Sequence, residues 1–215
     1  MISAKDALKR LQDGNQRFAA NECLGQSAIS LTRRAEATLG QSPFAIILGC
    51  SDARVPAELV FDQGIGDLFV IRVAGNIVAP SLIGSVEFAA SSFGTKLVVV
   101  LGHSNCGAIY TTLKELLNPG QTGSDNLKSI VNRVRPSLEG LLKTDLRNNQ
   151  SQLLATAVRS NVLASVNQLR NSSRILEDLI AKGELSIVGA EYDLETSKVD
   201  FFEGADCLLD DNKSC

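Results

Sequence analysis

Two stretches of the sequence, AIILGC at residues 45–50 and LVVVLGH at residues 97–103, follow one pattern. Each is a run of apolar residues followed by Leu-Gly and then by a side chain that can bind a metal. Short apolar runs of this kind are typical of buried strands in a parallel sheet. Functional groups collect beyond the carboxyl ends of such strands. If the two strands are neighbours, Cys50 and His103 lie at the same edge of the sheet.

Strand and helix patterns alternate along the chain, which predicts an α/β fold. We expect a mainly parallel central sheet flanked by helices, with an N-terminal helical arm. The predicted strands cover residues 44–49, 67–73, 96–101 and 185–192, with a hairpin partner at 199–202. The predicted helices cover residues 4–19, 27–40, 81–93, 108–117, 151–169 and 174–182.

The chain shows no linker or internal repeat, so we expect a single domain over residues 1–202. Residues 203–215 are acidic and are predicted to form a mobile tail. Residues 121–150 are polar and give no clear pattern of secondary structure.

Composition excludes several classes of function. The chain has 215 residues, of which 44% are hydrophobic, so it can bury a core. Its 21 Lys and Arg residues against 24 Asp and Glu residues give a net charge of −3. This balance favours neither nucleic acid nor an anionic membrane as a partner. No apolar run approaches the ~18 residues that span a bilayer. The N-terminus lacks the apolar segment of a signal peptide, which favours a cytoplasmic location.

The five cysteines and the single histidine limit the possible chemistry. Five scattered cysteines do not form a disulfide framework, so metal ligands or free thiols are the better interpretations. Cys106 follows His103 by three residues, and both side chains can reach the same ion as Cys50. Two thiolates and one imidazole suit zinc, with a fourth position left for water or substrate. The alternative is that both cysteines are buried small apolar residues beside an ordinary loop histidine.

The segment CSDARVP at residues 50–56 places an acid and a base beside the first cysteine. Asp52 and Arg54 lie two residues apart, on the same side of an extended chain. A bidentate pair between them would keep Asp52 ionised and fix its orientation. Such an aspartate can accept a hydrogen bond from a zinc-bound hydroxide and so orient the oxygen lone pair toward an electrophile. The alternative is a surface ion pair of little energetic value.

These motifs together resemble the β-class carbonic anhydrases. The family signatures C-x-D-x-R and H-x-x-C match CSDAR at 50–54 and HSNC at 103–106. Further family-like segments are ALKRLQDGNQRF at 7–18, GDLFVIRVAGN at 66–76, SVEFA at 85–89 and VGAEYDLET at 188–196.

The resemblance implies one Zn²⁺ per subunit, held by Cys50, His103 and Cys106. Water, hydroxide or Asp52 would be the fourth ligand. It implies reversible hydration of carbon dioxide to bicarbonate and a proton, by attack of a zinc hydroxide that Asp52 and Arg54 orient. Because two thiolates offset the charge of zinc, we expect activity to rise toward alkaline pH. His103 would be a ligand, so the proton must leave through water, carboxylates or buffer.

The resemblance also implies residues for substrate binding and a partner subunit. Gln41 matches a glutamine that donates to the substrate oxygen in the plant-like branch of the family. Phe88 matches an aromatic residue that lines the pocket of the neighbouring subunit, and the N–H of Gly107 can hold an anion. A homodimer or homotetramer is therefore expected. The chain has no tryptophan, so the inhibitory bicarbonate site of the other branch, to which Arg72 would belong, is not expected.

Other functions remain open at this point. A hydrolase for carbonyl sulfide or carbon disulfide would use the same ligands. A noncatalytic zinc scaffold would not need Asp52 or Arg54, and a redox protein would not need His103. The remaining cysteines are predicted to be spare thiols: Cys23, Cys207 and Cys215.

Overall fold

The computed structural model describes residues 2–25, 28, 30–120 and 122–209. Across these residues the chain forms five strands and nine α-helices. The strands are β1 (Ala45–Gly49), β2 (Leu68–Arg72), β3 (Leu97–His103), β4 (Ser186–Tyr192) and β5 (Val199–Glu203). The helices are α1 (Ala4–Ala19), α2 (Leu31–Ala37), α3 (Ala57–Val60), α4 (Pro80–Phe93), α5 (Gly107–Leu117), α6 (Asp125–Leu138), α7 (Gln150–Asn171), α8 (Arg174–Ala181) and α9 (Ala205–Leu209).

The five strands form one sheet in the order β2-β1-β3-β4-β5. Strands β1 to β4 run parallel, and β5 pairs antiparallel with β4, as the predicted hairpin requires. The predicted α/β fold with a mainly parallel sheet is confirmed. After β1 the chain forms β2 on one side of β1, and it then crosses to form β3 on the other side. A crevice therefore opens beyond the carboxyl ends of β1 and β3, where ligands bind in open α/β sheets.

Helices cover both faces of the sheet because alternate strand residues point to opposite sides. Ile47 and Val99 face a core cluster that includes residues of α1, α3 and α9. Ile46 and Val98 face a second cluster built with residues of α4, α7 and α8. A third cluster, which contains Cys50 and residues of α5, α6 and α7, closes the carboxyl end of the sheet.

Helix α7 approaches the sheet closely at two glycines. A Cβ atom at Gly102 of β3 would lie 2.6 Å from Cγ2 of Val162. A Cβ atom at Gly189 of β4 would lie 2.9 Å from Cγ1 of the same valine. The side chain of Val162 therefore packs against β3 and β4 at positions where each strand has a glycine.

The structure differs from the prediction in three segments. The second helix is shorter than residues 27–40, and residues 26, 27 and 29 lie outside the described part. The polar segment 121–150 contains α6, whose buried face carries Val131, Val134 and Leu138. The segment expected to be a mobile tail, residues 203–215, contains the last residue of β5 and then α9, and Ala205 is buried in the core, so packing extends past residue 202. The rest of that segment, residues 210–215, is not described.

Candidate metal centre

Three potential metal ligands meet at the crevice beyond β1 and β3. Cys50 follows β1, His103 ends β3, and Cys106 is the residue before α5. Their ligand atoms all lie within 4.8 Å of one another, and all three residues are buried. The sulfur atoms are 4.0 Å apart. Two sulfurs bound to zinc at a tetrahedral angle and about 2.3 Å from the ion would lie about 3.8 Å apart, so the arrangement fits zinc.

The hydrogen bonding of His103 leaves one ring nitrogen free for a metal. Nδ1 lies 2.9 Å from the carbonyl oxygen of Ser104, which can only accept, so Nδ1 carries the proton. Nε2 therefore has a free lone pair. It is buried and has no hydrogen-bond partner in the described part of the chain. A buried nitrogen without a partner is costly in a folded protein, and a metal ion would satisfy it.

The two thiols affect each other's ionisation. The hydrogen bond between their sulfur atoms lowers the pKa of Cys50 and raises the pKa of Cys106. The backbone N–H of Gly75 also donates to the Cys50 sulfur at 3.3 Å. Cys106 lies at the N-terminus of α5, where the helix dipole favours a negative charge. A divalent cation would favour the thiolate form of both residues.

Asp52 and Arg54 form the bidentate pair predicted from the sequence. Arg54 donates from Nε to Oδ1 at 2.9 Å and from Nη2 to Oδ2 at 2.7 Å. Its backbone N–H also donates to Oδ1 at 3.0 Å. The guanidinium hydrogen bonds hold the pKa of Asp52 well below its usual range, so the carboxylate is ionised at neutral pH. Oδ2 lies 3.8 Å from Nε2 of His103, which places the carboxylate beside the metal ligands.

Sequence reasoning missed the residues that hold the loop around the cluster. Arg72, at the end of β2, donates from Nε to the Cys50 carbonyl oxygen at 2.9 Å and from Nη2 to the Asp52 carbonyl oxygen at 2.6 Å. Asn105 adopts a positive φ of 55°, which turns the chain from β3 into α5. Its carbonyl oxygen lies 3.4 Å from Nη2 of Arg54. No sequence pattern distinguishes these contacts.

The three predicted substrate-binding residues lie at different places. Gly107 is the first residue of α5, next to Cys106, and a Cβ atom there would meet nothing within 4 Å. Phe88 is on α4 and is 52% exposed. Gln41 precedes β1, whereas Cys50 follows it, so the whole five-residue strand lies between them. At about 3.3 Å per residue that strand alone is roughly 16 Å long, and the structure does not bring Gln41 to the cluster of its own chain.

Two other cysteines can be placed, and both lie outside the cluster. Cys23 is exposed and Cys207 is half-buried, and both are free thiols. Cys215 lies outside the described residues. In the described helices, none is both long enough and apolar enough to cross a membrane.

Comparison with known proteins identifies the family. A family model described as carbonic anhydrase matches residues 45–199. The chain belongs to the carbonic anhydrase family. A curated carbonic anhydrase of Mycolicibacterium smegmatis is 39% identical to it over 199 residues, with 90% of this chain and 91% of the relative covered.

Solved structures place this carbonic anhydrase in the β class. It matches the β-carbonic anhydrase of Coccomyxa with a TM-score of 0.71 and 25% identity, covering 91% of this chain and 86% of that one. It also matches the fold of one of two tetrameric β-carbonic anhydrases of Sordaria macrospora, with a TM-score of 0.73 and 23% identity, covering 92% and 97%.

This carbonic anhydrase is a zinc enzyme that hydrates carbon dioxide reversibly to bicarbonate and a proton. Its Cys50, His103 and Cys106 are placed to bind the metal.

Proposed function

We propose that Asp52, fixed by Arg54, orients the nucleophile of carbon dioxide hydration beside zinc held by Cys50, His103 and Cys106. The observation that carries this proposal is the position of Asp52, which Arg54 grips at both oxygens while Oδ2 lies 3.8 Å from His103 Nε2. The chemistry that zinc supplies when bound is the activation of water as a nucleophile.

The charge of Asp52 determines the direction in which the nucleophile faces. An ionised carboxylate can only accept hydrogen bonds, so a water or hydroxide beside it must point its hydrogen at Asp52. The lone pair of that oxygen then faces away from Asp52, toward the substrate. The hydrogen bonds from Arg54 keep the pKa of Asp52 low, so the carboxylate stays ionised and this orientation persists at neutral and alkaline pH.

Carbon dioxide is apolar, and the residues around the ligands suit it. Ile77 is buried in the same core cluster as Cys50 and Cys106, and the half-buried Val73 and Ala108 pack against that cluster. We propose that the N–H of Gly107 donates to an oxygen of the bicarbonate product. Its place in the first turn of α5 supports this role, because N–H groups there have no partner within the helix.

Asp52→Asn tests the catalytic role directly. The amide is the same size but can donate, so the nucleophile loses its fixed orientation. We expect kcat for carbon dioxide hydration to fall by roughly 10²- to 10⁴-fold, with one zinc still bound per chain. Stopped-flow hydration with a pH indicator, beside zinc analysis, measures both. Undiminished turnover in a zinc-loaded variant would contradict the proposal.

We also propose that two chains associate through the β2 edge of the sheet. In the described part of the chain, β2 pairs only with β1, so its outer side is free. Next to it, the ring of Phe88 packs 6.2 Å from that of Phe69 and 5.4 Å from that of Phe93. An unpaired strand edge beside one exposed and two half-buried aromatic rings is typical of an interface.

Pairing through β2 would also explain the position of Gln41. A two-fold axis perpendicular to the sheet pairs the two edges antiparallel, so the carboxyl end of one sheet lies beside the amino end of the other. The partner subunit's Gln41 and the partner's Phe88 would then approach the pocket of the first subunit, whose own Gln41 lies at the opposite end of β1. The tetrameric Sordaria enzymes named above are consistent with self-association.

Light scattering of Phe88→Asp tests this interface. Leu127→Asp is a matched control, because Leu127 on α6 is also 52% exposed. We expect Phe88→Asp to halve the mass or more and Leu127→Asp to leave it unchanged. A monomeric wild type would contradict the proposal.

The cytoplasmic location stays a prediction, which fractionation of the source cells would test.

A further inference from the structure

Two polar side chains are buried on the inner face of α7, and the mechanism above uses neither. Asn161 is 3% exposed and Ser165 is 4% exposed. They lie four residues apart, so they share one side of the helix. Burying such groups is unfavourable unless they form hydrogen bonds, so their partners indicate what they stabilise.

Both side chains bind the short turn at Ala74–Asn76. Asn161 donates from Nδ2 to the carbonyl oxygen of Gly75 at 2.8 Å. Ser165 donates from Oγ to the carbonyl oxygen of Asn76 at 3.0 Å. The turn needs this support because Asn76 is held at a φ of 41°, in the left-handed region, where a residue other than glycine is strained unless its surroundings fix it.

The turn delivers a hydrogen bond to a metal ligand. The backbone N–H of Gly75 donates to the Cys50 sulfur at 3.3 Å. The backbone also packs tightly there, since a Cβ atom at Gly75 would lie 3.1 Å from Cβ of Ala108 on α5. A hydrogen bond to a ligating sulfur withdraws electron density from it, and such outer contacts orient the ligand and tune the metal.

We propose that Asn161, assisted by Ser165, is a positioning residue that holds the Gly75 N–H on the Cys50 sulfur. It thereby tunes both the zinc affinity and the electron donation of that thiolate. This inference rests on the proposed zinc ligands, and it adds α7, which carries no ligand, to the machinery of the site. The buried carbonyl contacts give it a role beyond packing.

The test uses full-length Asn161→Ala with two readouts besides activity. Zinc affinity is measured by competition with a chromophoric chelator, and we expect binding to weaken about tenfold or more, because outer-contact substitutions typically have effects of 10- to 100-fold. Cobalt-substituted protein reports the thiolate directly. Loss of the N–H donor leaves the sulfur richer in electrons, so its charge-transfer band should move to lower energy.

Val166→Ala is the matched control. Val166 is fully buried on the same helix, in the cluster on the sheet face, so its truncation lowers stability and removes neither hydrogen bond to the turn. We expect its cobalt spectrum and zinc affinity to match those of the wild type.

The outcomes distinguish a failure of the positioning role of Asn161 from a failure of the proposed zinc ligands. An unshifted band and unchanged zinc affinity in Asn161→Ala would overturn the positioning role. If Asn161→Ala does not fold, Ser165→Ala decides, with a smaller shift expected in the same direction and an unshifted band contradicting it. A wild type that binds no zinc would instead refute the proposed ligand set.

Discussion

Replacing Gly102 by alanine should separate α7 from the strand that carries His103. The new Cβ atom would lie 2.6 Å from Cγ2 of Val162 and 3.4 Å from Cγ1 of Val158. Carbon atoms pack best at about 3.5–4.0 Å, so the overlap with Val162 is about 1 Å. Val162 cannot turn away, because valine has few rotamers and its other methyl group fills the space at Gly189.

The helix must therefore move, and overpacking of this kind costs about 1–3 kcal/mol. For a chain of this size each kcal/mol changes Tm by roughly 2–4 °C, so we expect a fall of about 2–12 °C. Because α7 also holds the turn beside Cys50, zinc affinity should weaken as well.

Gly49→Ala provides the matched control. Gly49 occupies the same Leu-Gly position on β1, immediately before Cys50, but a Cβ atom there meets nothing closer than 3.9 Å. Thermal unfolding of both variants at one protein and zinc concentration, followed by chelator competition, measures the difference. Equal Tm values for Gly102→Ala and Gly49→Ala would refute the packing argument.

Three further predictions concern charge and proton transfer. Arg54→Lys keeps the charge but loses the two-pronged grip on Asp52, so kcat should fall while zinc content stays at one per chain; unchanged kcat would count against the pair. Because His103 is the only histidine and is a proposed ligand, stopped-flow rates at low buffer should rise with buffer concentration, and a flat response would contradict this. Hydrogen bonds from the backbone N–H and the hydroxyl of Thr196 lower the pKa of Asp193. Its ionised form therefore stabilises the fold above the pKa of an unfolded aspartate, about 4, and the stabilisation fades as pH falls through the lower folded pKa. The Tm difference between wild type and Asp193→Asn should accordingly shrink in acid, and a constant difference would be the contrary result.

The sequence was informative wherever a strand led directly into a ligand. The apolar runs before Cys50 and His103 predicted two strands of a parallel sheet, and the structure shows that these strands are neighbours, which brings both ligands to one crevice. The spacing of Asp52 and Arg54 likewise predicted their pairing. These are short-range patterns. The pleat of a strand determines the side to which each residue points, and a parallel sheet places the carboxyl ends of its strands at one edge.

Long-range contacts were beyond prediction. Asn161 and Ser165 interrupt the apolar face of α7, but nothing in the sequence shows that their partners lie 86 and 89 residues away. The face of α6 was obscured by its polar surroundings and by Pro136. The place of Gln41 shows a further limit, since β1 lies between it and Cys50, and it would reach a metal centre only within the dimer proposed above.

The most direct test of the central claim is a zinc titration of metal-depleted protein, followed by stopped-flow carbon dioxide hydration and, in parallel, carbonyl sulfide hydrolysis. The account predicts that hydration rises linearly to one zinc per chain and then stays constant, with carbonyl sulfide a poor substrate. Hydration that is absent at full zinc occupancy, or that is outpaced by carbonyl sulfide hydrolysis, would contradict it.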